Sequence, residues 1–269
     1  MNNPTLADAT LDVQEGVATL TFQRDDVRNA LTGTALAEDI VRVVEWVNGN
    51  YDISVLVLTG AGSAFSAGGN VKEMEERQGI FSGSPFEIQE RYRRGIQQIS
   101  LALHRTEIPT IAAINGPAIG AGCDLACMCD LRIASSRAVL GETFVNLGII
   151  SGDGGSWFLQ RLIGYQQAAE LTFTGRLLSA EEACTLGLTL EVVEPKNLLP
   201  RTMALASQIA AQPAPALRMS KRLLKASQRL DLPDFLDLCA SFQATAHHTS
   251  AHEEALTGFL KARKTSSAP

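Results

Sequence analysis

The sequence is poor in cysteine, in basic charge and in long apolar runs, and each shortage excludes a class of protein. Its five cysteines are an odd number and form no CxxC pairs, which argues against a disulfide framework and against a zinc site. With 23 Lys and Arg against 29 Asp and Glu, the chain lacks the cationic excess that drives nucleic-acid binding. No apolar run approaches the ~18 residues of a membrane span.

The rest of the composition is that of a soluble globular protein. Apolar residues make up 45% of the chain and charged residues 19%, which is enough to bury a sizeable core. Residues 1–9 contain neither the basic nor the apolar region of a signal peptide, so we expect a cytoplasmic protein without a membrane partner. Cys123, Cys127 and Cys129 fall in a small-residue apolar stretch and are expected to be buried thiols.

Residues 10–200 alternate short β-branched runs with helical patterns. Strands are predicted at 17–22, 54–59, 109–114, 129–134 and 138–140, and helices at 36–47, 86–104 and 119–127. The run 54–59 is almost wholly apolar, which is typical of a strand buried on both faces. Strand, helix and strand at this spacing favour parallel strands with crossover helices, and therefore an α/β fold.

Beyond residue 155 the pattern is almost wholly helical. One strand is predicted at 190–193, and helices are predicted at 154–163, 198–211, 215–229, 234–247 and 251–263. The character of the chain therefore changes near residue 200.

Two glycine-rich turns, 64–74 and 115–124, each follow a strand and open a helix. Their small residues let the backbone approach a ligand, and N–H groups at a helix start carry a partial positive charge. The dinucleotide motif, the Walker A loop and the nucleophile elbow are missing from both turns. Either turn alone is explained equally well by chain geometry.

Both turns belong to a set of segments that recur in one order in a known family. The segments are 28–31, 55–60, 64–70, 109–116, 129–132, 147–149, 154–155, 161–164, 171–175 and 258–260. Together they resemble the crotonase superfamily, also called the enoyl-CoA hydratase/isomerase family. The resemblance implies a crotonase-like spiral of ββα units over residues 1–199. It also implies a C-terminal helical region, 200–269, that builds a homotrimer or homohexamer and covers the active site.

The same resemblance implies a site for an acyl-coenzyme A thioester. Family members hold the thioester carbonyl between two backbone N–H groups, and the matching positions are Gly69 and Ala121. Two such donors in a dry site stabilise the negative charge of an enolate oxygen, and losing one costs on the order of 3 kcal/mol. Coenzyme A enters as part of the substrate, and no further cofactor and no metal are implied.

Contacts with coenzyme A are implied for two segments. Val27, Arg28 and Ala30 would lie near the pantetheine and phosphates, where a guanidinium suits phosphate, although Arg28 equally fits a solvated loop. Ala67, Asn70 and Val71, with Gly68 beside them, would line the adenine end. Phe259 and Lys264 would reach the coenzyme A of a neighbouring subunit.

The acid–base residues depart from the usual pattern of the family. Hydratases of this family use two carboxylates, and Asp124 matches the first of them, three residues after Ala121. The second position is Phe144, which would line the substrate pocket but cannot transfer a proton. Asp153 and Glu142 are the nearest acids. Asp153 also suits a cap for the helix 154–163, and Glu142 a structural hydrogen bond.

These residues favour an acyl-CoA enzyme that transfers protons through a thioester enolate. Double-bond isomerisation and atypical hydration both fit, with Asp124 and Asp153 as the proton carriers. Two alternatives stay open: a non-catalytic acyl-CoA-binding or assembly subunit, and another reaction of the superfamily such as thioester hydrolysis. The acyl length and the choice between trimer and hexamer are left open as well.

Overall fold

A computed structural model describes residues 2–266, apart from the side chains at 262 and 264–266. The strands are β1 (Ala9–Gln14), β2 (Val17–Phe22), β3 (Val55–Gly60), β4 (Thr110–Ile114), β5 (Ala118–Ile119), β6 (Leu131–Ser135), β7 (Val139–Gly141), β8 (Leu177–Ser179) and β9 (Glu191–Val193). The helices are α1 (Leu36–Gly49), α2 (Val71–Glu75), α3 (Pro85–Arg94), α4 (Gln97–Arg105), α5 (Ala121–Met128), α6 (Gly155–Thr174), α7 (Ala180–Thr185), α8 (Leu198–Ala210), α9 (Ala214–Ala226), α10 (Leu232–His247) and α11 (Ser250–Ser266). Short 3-10 helices lie at Asp25–Val27, Gly79–Phe81, Thr143–Leu147 and Pro195–Asn197.

Six strands form the main sheet, in the order β1-β2-β3-β4-β6-β9. β1 and β2 are antiparallel, and each later pair of neighbours is parallel. Parallel neighbours cannot be joined by a tight turn, so α1, α4 and α5 lie in the connections that carry the chain back. The prediction of parallel strands with crossover helices is confirmed.

Both faces of the main sheet are buried because helices cover each of them. In β3, Leu56 and Leu58 belong to a core shared with α1 and α4, whereas Val55 and Val57 pack in a second core with Leu198 of α8. Alternate residues of a strand point to opposite faces. A strand with a core on each side is therefore apolar at successive positions.

A second sheet contains three strands in the order β5-β7-β8. β5 pairs parallel with β7, and β7 pairs antiparallel with β8. A parallel bridge between Ser66 and Ala118 joins the turn after β3 to β5. The chain therefore leaves the main sheet after β4, adds a strand to the second sheet and returns to the main sheet as β6.

The helices after residue 197 differ in how they attach to the sheets. α8 is part of the core, and α9 is fastened by buried cations. Arg218 donates to the carbonyls of Val47 and Asn50 at 3.1 Å each, and Lys221 Nζ lies 2.6 Å from Asp130 Oδ2. α10 buries none of its residues. α8 lies after the predicted division near residue 200 but packs in the core of the main sheet. The division into a core region and a helical region therefore stays a prediction.

Several elements differ from the predicted ones. β1, β5 and β8 were missed: β1 is an edge strand in which only Ala9 is buried, and the other two have only two and three residues. The helix predicted at 86–104 is broken at Gly95, whose φ of −108° and ψ of −110° are not helical. The helix predicted to end at 163 continues to Thr174 across a break at Gly164. Within residues 2–266, every helix is too short or too polar to cross a lipid bilayer.

Candidate active site

The two glycine-rich turns lie against each other. Besides the bridge between Ser66 and Ala118, the N–H of Ile119 donates to Ser66 O at 3.0 Å. A Cβ at position 122 would lie 2.1 Å from Ser66 O, and one at position 68 would lie 2.8 Å from Ala121 N. Gly68 also has a φ of 77°, which side chains other than glycine rarely adopt. Glycine at both positions is what allows the two backbones to touch.

Two backbone N–H groups at this contact have no acceptor. Gly69 lies just before Asn70, the N-cap of α2. Ala121 is the first residue of α5, where N–H groups have no partner within the helix. In the part of the chain that the structure describes, neither group donates to a protein oxygen. Both groups therefore remain available to a ligand atom placed where the two turns meet.

The residues predicted to contact coenzyme A come together beside the first turn. Ala67 N–H donates to Arg28 O at 2.9 Å, which joins the two predicted segments. Arg28 is exposed and has a φ of 52°, and Val71 is 54% exposed. Val27 is half-buried and Ala30 is buried. The backbone thus forms one continuous surface, with a guanidinium at its open edge.

Asn70 has a structural role in this region. Its Oδ1 accepts the N–H groups of Lys72 at 3.1 Å and Glu73 at 3.4 Å, so it caps α2. Its own N–H donates to Thr32 Oγ1 at 2.8 Å. Asparagine and aspartate are equally good helix caps, so asparagine here preserves the start of α2.

Two aspartates meet beneath the start of α5. Asp124, in the first turn of α5, is completely buried, and Asp153 is 4% exposed. Ser151 Oγ lies 2.9 Å from Asp124 Oδ2 and 3.2 Å from Asp153 Oδ1. Both predicted proton carriers therefore occupy one cluster, held together by a serine hydroxyl that the sequence analysis did not single out.

Glu142 completes the cluster. It is 3% exposed, and its charge is among those that raise the pKa of Asp124. Burial, followed by the charges of Asp153 and Glu142, raises the pKa of Asp124 well above its ordinary range. Burial also raises the pKa of Glu142.

No cation neutralises these three acids. None of the ion pairs of the described residues involves Asp124, Glu142 or Asp153, and one oxygen each of Asp124 and Glu142 has no hydrogen-bond partner. Several unpaired carboxylates in one buried space would repel strongly. Burial and mutual repulsion therefore both favour the protonated forms of Asp124 and Glu142, and raised pKa values of this kind are common at acid–base sites.

The start of α6 packs directly against the carboxyl of Asp124. A Cβ at Gly155 would lie 1.6 Å from Asp124 Oδ1, so only glycine leaves room for that carboxyl. The N-cap of α6 is Gly154, and no side chain caps the helix. The alternative that Asp153 caps this helix is therefore wrong, because its carboxyl turns toward Ser151 instead.

An apolar wall and a cavity adjoin the cluster. The ring of Phe144 lies 3.6 Å from the position that a Cβ of Gly120 would take, which places the ring beside the second turn. A cavity of about 500 Å³ opens nearby, and its lining includes Met74, Phe81, Tyr92, Leu147 and Ile149. Tyr92 connects the two features: its ring packs at Gly152, and burial and the charge of Asp153 raise its pKa.

Comparison with known proteins decides the family. The family model described as enoyl-CoA hydratase/isomerase matches residues 12–267. The chain belongs to the enoyl-CoA hydratase/isomerase family. It is 34% identical to a short-chain-enoyl-CoA hydratase of Clostridium acetobutylicum, over 96% of this chain and 97% of the relative. It is also 34% identical to a crotonyl-CoA hydratase of Syntrophomonas wolfei, over 94% of this chain and 95% of the relative.

Solved structures of the enoyl-CoA hydratase/isomerase family share the fold. The enoyl-CoA hydratase of Bacillus anthracis superposes with a TM-score of 0.88 at 32% identity, covering 95% of this chain and 97% of that one. An enoyl-CoA hydratase/isomerase of Cupriavidus metallidurans superposes with a TM-score of 0.88 at 30% identity, covering 97% of this chain and 96% of that one. The predicted superfamily, its α/β fold and the assignment as an enzyme are confirmed.

Sequence reasoning missed three residues of the site: Ser151, Gly155 and Tyr92. Ser151 and Gly155 each lie two residues from Asp153, in a segment that was considered only for Asp153 itself and for the cap of the following helix. The glycine at 155 was visible as part of a family segment, but its contact with Asp124 joins positions 31 residues apart. Tyr92 lies on α3, in a region whose helical pattern gave no signal of a pocket.

The contact of the turns predicts that Gly122→Ala destabilises the fold. The new Cβ would overlap Ser66 O and push the turns apart, and overpacking of this kind costs about 1–3 kcal/mol. Urea unfolding followed by circular dichroism measures the change. If the urea concentration at the midpoint of unfolding equals that of the wild type, the backbone relaxes freely around the new methyl group and the contact between the turns is not tight.

The acid cluster predicts that Asp124→Asn stabilises the protein more as the pH rises. The pKa of Asp124 is higher in the folded than in the unfolded state, so its contribution to stability is complete below the unfolded pKa and is lost as the pH rises toward the folded value. Asparagine carries no such loss. The difference in melting temperature should therefore grow in favour of the variant as the pH rises above about 4, and a constant or shrinking difference would contradict the assignment.

Proposed function

We propose that the chain is an acyl-CoA enzyme that moves a proton through a thioester enolate, most simply to shift a carbon–carbon double bond. One observation carries this proposal: Asp124 and Asp153, bridged by Ser151, are buried next to the contact of the two turns. The names of the relatives, a short-chain-enoyl-CoA hydratase and a crotonyl-CoA hydratase, support an enoyl-CoA thioester as the substrate class.

The thioester oxygen is placed between the N–H groups of Gly69 and Ala121. Both groups lack a protein acceptor, and Ala121 N–H also benefits from the positive end of α5. Removing the α-proton puts negative charge on this oxygen. Preorganised donors that meet the charge as it develops stabilise the transition state more than the bound substrate.

The two aspartates supply the proton transfers. In a double-bond shift, one carboxylate removes a proton from one carbon of the substrate, and a carboxylic acid returns a proton to another carbon. A pair that holds one proton provides both partners at once. Asp124 has an oxygen without a partner and lies three residues from Ala121, so we assign it the α-carbon, and Asp153 the remote carbon.

Phe144 and the apolar cavity favour the double-bond shift over hydration. The ring occupies the position at which the family resemblance expects a second carboxylate, and it offers no group that activates water. The cavity of about 500 Å³ has mostly apolar walls, which suits an acyl chain. Atypical hydration, with Glu142 activating the water, is the second candidate, because that carboxyl faces Asp124.

Coenzyme A would lie along the surface formed by Arg28 and Ala67, with Arg28 facing a phosphate. We propose no resident cofactor besides the coenzyme A of the substrate. A homotrimer or homohexamer is part of the proposal, supported by exposed apolar side chains on α10 and α11, Phe259 among them at 64% exposure. The side chain of Lys264 lies outside the described residues, and the cytoplasmic location stays a prediction.

The assay pairs isomerisation of 3-enoyl-CoA with hydration of crotonyl-CoA. We expect isomerisation, and its loss by on the order of 100-fold or more in Asp124→Asn and in Asp153→Asn, because each removes one proton carrier. Asp12→Asn, at an exposed aspartate of β1, is the control and should keep full activity. If the protein binds coenzyme A tightly but turns over no enoyl-CoA, the proposal is overturned. The alternative of a non-catalytic acyl-CoA-binding subunit would then account for the result.

Gly155→Ala tests the position of the Asp124 carboxyl without touching its chemistry. The added methyl would occupy the space of Asp124 Oδ1, so we expect kcat to fall on the order of 100-fold while the circular dichroism spectrum is unchanged. Gly258→Ala is the matched control, since nothing lies within 4 Å of a Cβ there. Equal activities of the two variants would mean that Asp124 does not act from its observed position.

A further inference from the structure

One hydroxyl group lies between the two aspartates. Ser151 Oγ is 2.9 Å from Asp124 Oδ2 and 3.2 Å from Asp153 Oδ1. A serine hydroxyl has one hydrogen to donate and two lone pairs that accept. If both aspartates were ionised, only one contact would be a hydrogen bond. If the pair holds one proton, Ser151 donates to the ionised carboxylate and accepts from the protonated carboxyl, and both contacts are satisfied.

The loop that carries Ser151 is held against α4. Gln97 Nε2 donates to Gly152 O at 2.7 Å, and Ser100 Oγ donates to Asp153 O. Both residues that follow Ser151 are therefore tied to α4 through their carbonyls, which limits the movement of the loop.

The proposed chemistry creates a need for such a bridge. After one double-bond shift, the base holds a proton and the acid has lost one, so the pair is in the reverse of its starting state. Asp124 is fully buried and Asp153 is 4% exposed, whereas Ser151 is half-buried, so we expect these protons to exchange with water only slowly.

We propose that Ser151 is a positioning residue that ties Asp124 and Asp153 into a one-proton pair and returns the proton between them after each turnover. The inference rests on the proposed function. In the return step, the protonated carboxyl gives its proton to Ser151 Oγ while the hydrogen of Ser151 passes to the other carboxylate. One O–H bond of the serine forms as another breaks, and the number of protons in the pair is unchanged.

Direct transfer between carboxyls is the competing route. Asp153 and Glu142 are buried beside Asp124, and their charges raise its pKa. If a proton passes directly, removal of the serine hydroxyl leaves the return step untouched. If Ser151 carries it, the same change slows the return step alone, so the two routes make opposite predictions.

The test compares the first turnover with later ones in Ser151→Ala. Rapid-quench measurement with enzyme in excess gives the first turnover, and steady-state assay with 3-enoyl-CoA gives the cycle. We expect a first turnover close to the wild-type rate and a steady-state rate lower on the order of tenfold, seen as a burst of product. Ser151→Thr keeps a hydroxyl and should remove the burst. Ser156→Ala, at an exposed serine of α6, is the control.

Isotope transfer gives a second readout that a purely structural role would not change. Substrate deuterated at the α-carbon is mixed with unlabelled substrate of a different chain length. In the wild type, deuterium retained on Asp124, Asp153 and Ser151 should appear in later turnovers in the product of the unlabelled substrate. In Ser151→Ala it should be lost to water before the slow return is complete.

Three results would overturn the inference. Equal loss of first-turnover and steady-state rates in Ser151→Ala would show that the hydroxyl only supports the structure. Unchanged rates in both would show that the carboxyls exchange protons directly. A wild type that turns over no enoyl-CoA would remove the proposed function, and the inference with it, and this result is visible before any variant is compared.

Discussion

The close contact between the two glycine-rich turns is the constraint on which the site depends. A side chain at position 68 or 122 would meet backbone atoms of the opposite turn, so the contact exists only because both positions are glycine. This contact sets the distance between Gly69 N–H and Ala121 N–H, joins the two sheets at Ser66 and begins α5. The same start of α5 then carries Asp124 down into the acid cluster.

The acid cluster shows how the fold accommodates an unfavourable local charge. Three carboxyls lie within one buried space, and no ion pair among residues 2–266 compensates them, whereas the buried Lys221 is paired with Asp130. The surrounding contacts, among them Gly155 against Asp124 and α4 against the loop of Asp153, hold the carboxyls in place. The main sheet, with a core on both faces, provides the stability that such a site requires.

This chain differs from the expected pattern of its family in the location of the acids. Position 144 holds a phenyl ring, and the buried acids near Asp124 are Glu142 and Asp153. The ring borders the second turn, while Ser151 connects Asp153 to Asp124. The N–H groups of Gly69 and Ala121 belong to the backbone, so side-chain substitutions leave them in place. Under the proposed function, these groups would stabilise the developing charge, and the surrounding acids would define which proton moves.

The sequence by itself determined the elements with strong local patterns: β3 and β4, the crossover helices, the helical C-terminal part, the two turns and the aspartates at 124 and 153. It did not determine β5 and β8, because strands of two and three residues are defined by their partners and not by their own pattern. Only the tertiary structure decided that Asp153 faces Ser151 and does not cap α6, and that Gly155 makes room for Asp124. These contacts join residues far apart in the chain or depend on the direction of one side chain, and local sequence patterns contain neither kind of information.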